Sequence, residues 1–265
     1  MIPAHLAEIE NYLWIWLIAL LRPGAAFVAA PLLGANAFPV TVRVMLALAV
    51  GLPSIMDAHL ILPDSGLVSF TGLFLVVGEI ITGIAIGFAV QIGYAAGYCT
   101  SELIGNAMGL GFASMIDPVN GSNSNVLTQI FTILGAFFFL AADGHLLLIR
   151  IIVESYQTMP VGGPGLNNQL FLKLTQFARQ LFSIGMLIAL PVTFSIILIQ
   201  VMMGFLSRTA PALNLFAVGM PMALIIGILL IAISVPAISE GVIDAIRSGL
   251  DMADKLAKMG AGHGG

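Results

Sequence analysis

The sequence predicts an all-α membrane protein that crosses the bilayer several times. Only 8% of its 265 residues are charged, and its mean hydropathy is +1.07, whereas a soluble domain carries about 25% charged residues. Long apolar runs recur along the chain, and most approach the roughly 20 residues that cross the hydrocarbon core as a helix. The runs are continuous rather than alternating, so membrane-barrel strands are not expected. A subunit buried against other apolar subunits fits the same composition.

Six apolar stretches are the candidate helices. The second is short for a span, whereas the third is long enough for one span with an extension. Gly83 and Gly87 in the third stretch have the GxxxG spacing that lets helix backbones approach closely. Prolines inside three stretches predict kinks or breaks, because proline removes a helical hydrogen bond. The stretches cover residues 12–34, 40–56, 67–98, 126–149, 181–206 and 213–238, and the prolines are Pro23, Pro191, Pro221 and Pro236.

The two ends of the chain differ in character. The start carries Glu8 and Glu10 instead of the positive region of a signal peptide, so the first apolar run is predicted to be retained as a helix. Residues 240–259 predict an amphipathic helix, and residues 260–265 predict a disordered tail. With six spans, an excess of basic residues on one side places both termini in the cytoplasm. That side receives Arg150, Lys173, Arg179, Arg247, Lys255 and Lys258, and the other receives Arg43 and Arg208.

Charge and cysteine content exclude several classes of function. The net charge is −4 and the basic residues are scattered, so no basic stripe for nucleic acid is present. Cys99 is the single cysteine, which excludes an intrachain disulfide, and the four histidines lie too far apart for a zinc-binding motif. Neither a P-loop nor a serine-hydrolase motif occurs. We therefore expect no enzyme and no bound cofactor or metal.

Three charged residues, Arg22, Glu79 and Asp143, lie inside apolar runs. Charges at membrane depth are costly, so each one needs a partner or a wet cavity. They could form a proton or ion relay, or they could make structural contacts with a neighbouring helix or subunit. Asp143 also precedes His145 by two residues, which hints at a catalytic dyad. No third partner can be assigned from spacing, so a polar helix break or a subunit contact is the alternative.

A glycine-rich segment, MGLGFASMIDPVNGSNSN from Met108 to Asn125, separates two of these runs. Its glycines permit sharp backbone turns, and its Asp-Pro pair restricts the chain to an extended or turn conformation. Irregular backbone at membrane depth must be buried in protein or line a cavity, and an apolar tip there suits a plug. An ordinary connecting loop outside the membrane explains the same residues. The residues that would act are Gly109, Gly111, Phe112, Met115, Ile116, Asp117 and Pro118.

Three motifs together resemble the FliR/SctT family of type III secretion export-apparatus proteins. They are GNAMGLGFASMIDPVNGSNSNVL, FLAADGHLLLI and LSRTAPALNLFAVGMPM. The central MGLGFA…DP pattern and the R-x-A-P-x-L-N-x-F-x-x-G-x-P pattern from Arg208 to Pro221 are specific in combination. The resemblance extends from Trp14 to about Pro236, which is nearly the whole chain.

The resemblance implies a subunit packed in a helical hetero-oligomer. FliP and FliQ homologues would join it at the entrance of a channel for unfolded flagellar proteins, with a FlhB-like export switch protein as a further partner. The assembly would lie at the bacterial inner membrane, within the flagellar basal body, and the C-terminal tail would be cytoplasmic. Residues 1–205 would correspond to a FliP-like part and residues 206–240 to the start of a FliQ-like hairpin. A C-terminal helix would continue to residue 259.

The resemblance also implies roles for single residues. The segment from Gly109 to Pro118 would plug the closed channel, with Phe112 and Met115 as sealing side chains and Asp117–Pro118 as the anchor. The two glycines would supply the backbone freedom. Family members often have asparagine at the position of Asp143, so no chemistry is expected there. Arg208, Pro211 and Pro221 would be structural and join the two terminal helices.

Other functions fit parts of the sequence. An injectisome subunit for virulence secretion belongs to the same family, and closeness of motif is what favours the flagellar system. A secondary transporter also has broken helices and buried charges, but such proteins carry repeated pairs of broken segments. No repeated pair is visible in this chain. An intramembrane hydrolase would need a nucleophile–base pair, and none can be assigned.

Overall fold

The computed structural model describes residues 4–57, 69–111, 126–162, 168–209 and 218–259, and these residues are almost entirely helical. Seven helices form within them, and no strand does, so the all-α prediction is confirmed for this part of the chain. Connections that the structure describes are short. The helices are α1 (Ala4–Ala29), α2 (Val40–Asp57), α3 (Phe70–Ala107), α4 (Val126–Ala141), α5 (Gly144–Thr158), α6 (Asn168–Thr209) and α7 (Met220–Lys258).

Within the residues that the structure describes, four helices are long and apolar enough to cross a membrane: α1, α3, α6 and α7. The broken pair α4 and α5 would make a fifth span if its two helices are counted together. Helix α2 is apolar but falls short of the length of a span. The sequence predicted six stretches of more even length. The structure instead has three helices of 38, 42 and 39 residues, well beyond the roughly 20 residues that a bilayer requires.

The prolines do not break the helices in which they lie. Pro23, Pro191 and Pro236 are all inside continuous helices, which corrects the expectation of breaks at these positions. Pro221 is the second residue of α7, a position where the missing N–H of proline costs no helical hydrogen bond. A break instead separates α4 from α5, where Asp143 adopts a left-handed backbone conformation with φ of 53°.

By internal contacts the chain divides into two compact units. Unit 1 comprises residues 1–93, 143–178 and 247–265, and unit 2 comprises residues 94–142 and 179–246. These units do not test the predicted division into a FliP-like part (residues 1–205) and the start of a FliQ-like hairpin (residues 206–240). That division stays a prediction. The disordered tail predicted for residues 260–265 lies outside the described residues.

Unit 1 is built on close backbone contacts between helices. A Cβ atom at Gly83 would lie 2.2 Å from the carbonyl oxygen of Arg22, and one at Gly87 would lie 2.2 Å from that of Ala26. The GxxxG spacing therefore marks the face of α3 that packs on α1, as the sequence predicted. Helix α2 approaches α1 in the same way, because a Cβ at Gly51 would meet the carbonyl oxygen of Ala19. Side chains larger than hydrogen would separate these helices.

The end of α7 docks inside unit 1. Leu250, Ala253, Leu256 and Ala257 are buried there, as expected for the apolar face of an amphipathic helix. The hydroxyl of Thr158 at the end of α5 donates to the carbonyl oxygen of Ala257 at 2.5 Å. The amphipathic character predicted for residues 240–259 is confirmed for the part of the helix that lies in this unit.

Candidate functional site

The glycine-rich segment starts from a firmly capped helix end in unit 2. The amide of Leu110 donates to the carbonyl of Gly105, and the amide of Gly109 donates to that of Asn106. Together with φ of 83° at Gly109, these two bonds form a Schellman cap, in which a left-handed residue ends the helix. A side chain at that residue would cost about 1–2 kcal/mol, because its Cβ clashes with backbone in the left-handed conformation. The turn predicted at Gly109 is therefore present.

Helices α6 and α7 hold the same end of α3. The side-chain amide of Gln200 on α6 donates to the carbonyl of Ala107 at 2.7 Å, a carbonyl near the end of α3 that the Schellman bonds leave free. The bond is partly buried, and a hydrogen bond of this kind contributes about 0.5–1.5 kcal/mol. Met108 is buried and lies so close to Gly227 on α7 that a Cβ there would sit 2.6 Å from its Cγ. The helix end from which the segment starts is therefore held in place within unit 2.

Gly111 differs from Gly109 in geometry. Its φ lies outside the left-handed region, and an added Cβ would lie 2.8 Å from Oδ1 of Asn106. That oxygen ends a flexible, exposed side chain, so a substitution at Gly111 could be accommodated. Of these two glycines, to which the sequence assigned backbone freedom, Gly109 adopts the left-handed conformation and Gly111 does not. The predicted sealing and anchoring residues Phe112, Met115, Ile116, Asp117 and Pro118 lie outside the described residues.

Glu102 near the end of α3 has a side-chain partner on α4. Its Oε1 accepts a hydrogen bond from the hydroxyl of Thr128 on α4 at 2.5 Å. The hydroxyl oxygen of Ser101 lies 3.2 Å from that of Thr128. Asn106, one turn later, is exposed. A small polar cluster therefore links α3 and α4 a few residues before the glycine-rich segment starts and after it ends.

Arg22 and Glu79 form a buried ion pair in unit 1. The Nε and Nη2 atoms of Arg22 donate to the two carboxylate oxygens of Glu79, each at 2.8 Å, and the two residues are 1% and 4% exposed. This two-point arrangement is the strongest geometry for such a pair. Two of the three charges predicted inside apolar runs are therefore partners of each other within one chain.

Further contacts surround the Arg22 guanidinium. Its Nη1 donates to the hydroxyl of Ser155 at 3.1 Å, and its Nη2 donates to the carbonyl of Met159 at 2.8 Å. The ring of Tyr156 lies over it, with 4.1 Å from Cζ to the ring centroid. Four of the five donors of an arginine are used in this way. The guanidinium thus joins α1, α3 and α5, which supports the structural interpretation of these charges over the relay.

The structure does not bring Asp143 and His145 together as a dyad. Asp143 is exposed and makes no side-chain cap of α5, and Nδ1 of His145 is buried with no hydrogen-bond partner among the described residues. In the described ranges, no group of three or more acidic, histidine or cysteine side chains could hold a metal ion. Asp143 instead occupies the helix break that the sequence offered as the alternative.

The remaining structural residues lie at helix ends. Arg208 is exposed in the last turn of α6, where a positive charge interacts favourably with the helix dipole. Pro221 occupies the first turn of α7. Pro211 lies outside the described residues.

The sequence analysis did not identify Ser155, Tyr156 or Gln200 as contact residues. A usable signal for the ion pair did exist, because Glu79, Gly83 and Gly87 are four residues apart and share one helix face. A glycine face that packs on another helix also turns Glu79 towards that helix. No comparable signal marks Gln200, whose partner is a backbone carbonyl 93 residues away.

Comparison with known proteins gives the family. Residues 13–249 match the model of a family described as bacterial export proteins, family 1. The chain belongs to this family. The chain is also similar to the flagellar biosynthetic protein FliR of Escherichia coli (strain K12), which is 37% identical over 88% of this chain and 87% of that protein. FliR of Pectobacterium carotovorum subsp. carotovorum is 31% identical over 74% of this chain and 75% of its own length.

A relative that is not named as a flagellar protein also matches. The surface presentation of antigens protein SpaR of Shigella flexneri is 29% identical over 60% of this chain and 62% of that protein. Membership of the export family and four helices of spanning length make this chain a membrane-embedded component of an export apparatus. The resemblance found in the motifs is confirmed.

Proposed function

We propose that the protein is a core subunit of the gate through which unfolded flagellar proteins enter the export channel. The observation that carries the proposal is the 37% identity with a flagellar biosynthetic protein over 88% of the chain. The capped end of α3 adds support, since the glycine-rich sequence follows a helix end that is held by bonds within its own turn and by Gln200 of α6. The protein acts by assembling and gating rather than by catalysing a reaction.

FliP and FliQ homologues are the proposed partners in this gate, with a FlhB-like switch protein beside them. Exposed apolar surface supports an assembly. In the most apolar stretches of α6 and α7, only 22% and 17% of the residues are buried within the chain. Such faces must meet lipid or other subunits. The proposed location is the inner membrane at the flagellar basal body, with the end of α7 on the cytoplasmic side.

The experiment that tests the function measures flagellar protein in the culture medium of a strain lacking this gene. We expect secretion to be lost and a plasmid copy to restore it. Normal secretion and swimming in the deletion strain would contradict the flagellar role. A secretion defect confined to virulence proteins would instead indicate the injectisome system, which the match to SpaR makes the second candidate.

Within this gate we propose that Phe112 and Met115 seal the closed channel. Flexible and aromatic apolar side chains can fill a pore and yield to a passing chain without bonding to it. In the complemented strain, changing both residues to alanine should raise passive entry of ions or small solutes while the protein still co-purifies with its partners. Unchanged permeability with normal assembly would remove the plug role and leave the export role untouched.

A further inference from the structure

The carbonyl groups at the end of α3 are satisfied from two sources. Bonds local to the turn satisfy the carbonyls of Ile104, Gly105 and Asn106. The carbonyl of Ala107 instead accepts from Gln200, which belongs to α6. The last helical residue before the glycine-rich segment is therefore tied to a different helix.

Gln200 connects α6 to the start of the glycine-rich segment, so a movement of α6 would change this connection. Only 22% of the residues in the most apolar stretch of α6 are buried within the chain. Most of this stretch is therefore open to contact with neighbouring molecules. The neighbour of Gln200 one turn earlier, Ile196, is fully buried, so this face of α6 points into unit 2. A shift of α6 along α3 would break the bond to Ala107 and leave that carbonyl without a donor from α6.

We propose that Gln200 is a positioning residue that latches the end of α3, and so the start of the glycine-rich segment, to α6. The proposal rests on the proposed function, because it assigns the latch to the closed state of the export gate. While the bond is made, the segment leaves from a fixed point. When α6 moves, the base of the segment is released.

Hydrogen–deuterium exchange on the purified complex tests the latch independently of export. In a Gln200→Leu variant, a peptide covering residues 104–111 should take up deuterium roughly fivefold to tenfold faster, the change expected for losing one hydrogen bond in a local opening. The control is Gln180→Leu, the same substitution at an exposed position of the same helix, which should leave that peptide unchanged. Equal exchange in both variants would overturn the latch.

The gating role is tested in the complemented deletion strain. Gln200→Leu should raise passive solute entry while the amount of assembled complex matches that of Gln180→Leu. Faster exchange at residues 104–111 without any change in permeability or export would overturn the link to gating. If the leucine variant fails to accumulate, Gln200→Met keeps the length of the side chain without any donor, and it must show the same two effects. Failure of the proposed function would appear separately, as normal secretion in the deletion strain.

Discussion

Replacing Glu79 by alanine is expected to destabilise the protein by about 3–5 kcal/mol, because it leaves a buried charge unpaired. Arg22 is 1% exposed, and both carboxylate oxygens of Glu79 accept from it. Its remaining partners, the hydroxyl of Ser155 and the carbonyl of Met159, are neutral and cannot balance the charge. The variant should be depleted from isolated membranes, and it should aggregate at a lower temperature in detergent.

Two further variants separate charge from packing. Glu79→Gln keeps an acceptor but loses the charge, so its stability should lie between those of the wild type and the alanine variant. Combining Arg22→Met with Glu79→Leu removes both charges, and stability should largely return, since apolar replacements of a buried pair are often tolerated. Recovery should be incomplete, because the carbonyl of Met159 loses its donor. If the pair were a relay, Glu79→Gln would instead lose export at full stability.

An exposed ion pair supplies the matched control. Arg150 and Glu154 on α5 are joined at 2.6 Å with the arginine side chain 71% exposed. Solvent-exposed pairs of this kind contribute little, so Glu154→Ala should leave membrane abundance near that of the wild type. Equal abundance of the Glu79→Ala and Glu154→Ala variants would contradict the stabilising role of the buried pair.

Composition and run length were sufficient to predict helices but not where they end. Hydropathy ended the third stretch at residue 98, whereas α3 continues to Ala107. The hydroxyl groups of Thr100 and Ser101 are accommodated there because they donate to carbonyls of their own helix. Likewise Pro236 suggested a boundary that α7 does not have. Packing within the units outweighs local preference at such positions.

The candidate site was predictable to the extent that it depends on local backbone. Gly109 takes the left-handed conformation that its residue type permits, and the same logic failed at Gly111 because the Schellman cap needs one such residue. The pairing of Arg22 with Glu79 spans 57 residues and follows from how α1 meets α3. The sequence alone could not distinguish a relay from a structural contact, because both would place the same residue types in an apolar run.

Alanine substitutions at Gly78 and Gly83 should differ in their effect on stability although both glycines lie in α3. Alanine favours a helix over glycine by about 1 kcal/mol, and a Cβ at Gly78 would have nothing within 4 Å. Gly78→Ala should therefore be neutral or stabilising. At Gly83 the Cβ would lie 2.2 Å from the carbonyl oxygen of Arg22. Backbone cannot yield as a side chain does, so α3 must move away from α1, at a cost of about 1–3 kcal/mol or more.

The same displacement would weaken the ion pair, because Glu79 lies one turn before Gly83 and its partner is the residue that the new Cβ meets. Thermal aggregation of Gly78→Ala, Gly83→Ala and the Gly83→Ala/Glu79→Ala double variant measures this coupling. The double variant should lose less stability than the sum of its single changes, since residues that share a partner are not additive. Additive losses would show that glycine packing and ion pairing stabilise the α1–α3 contact independently.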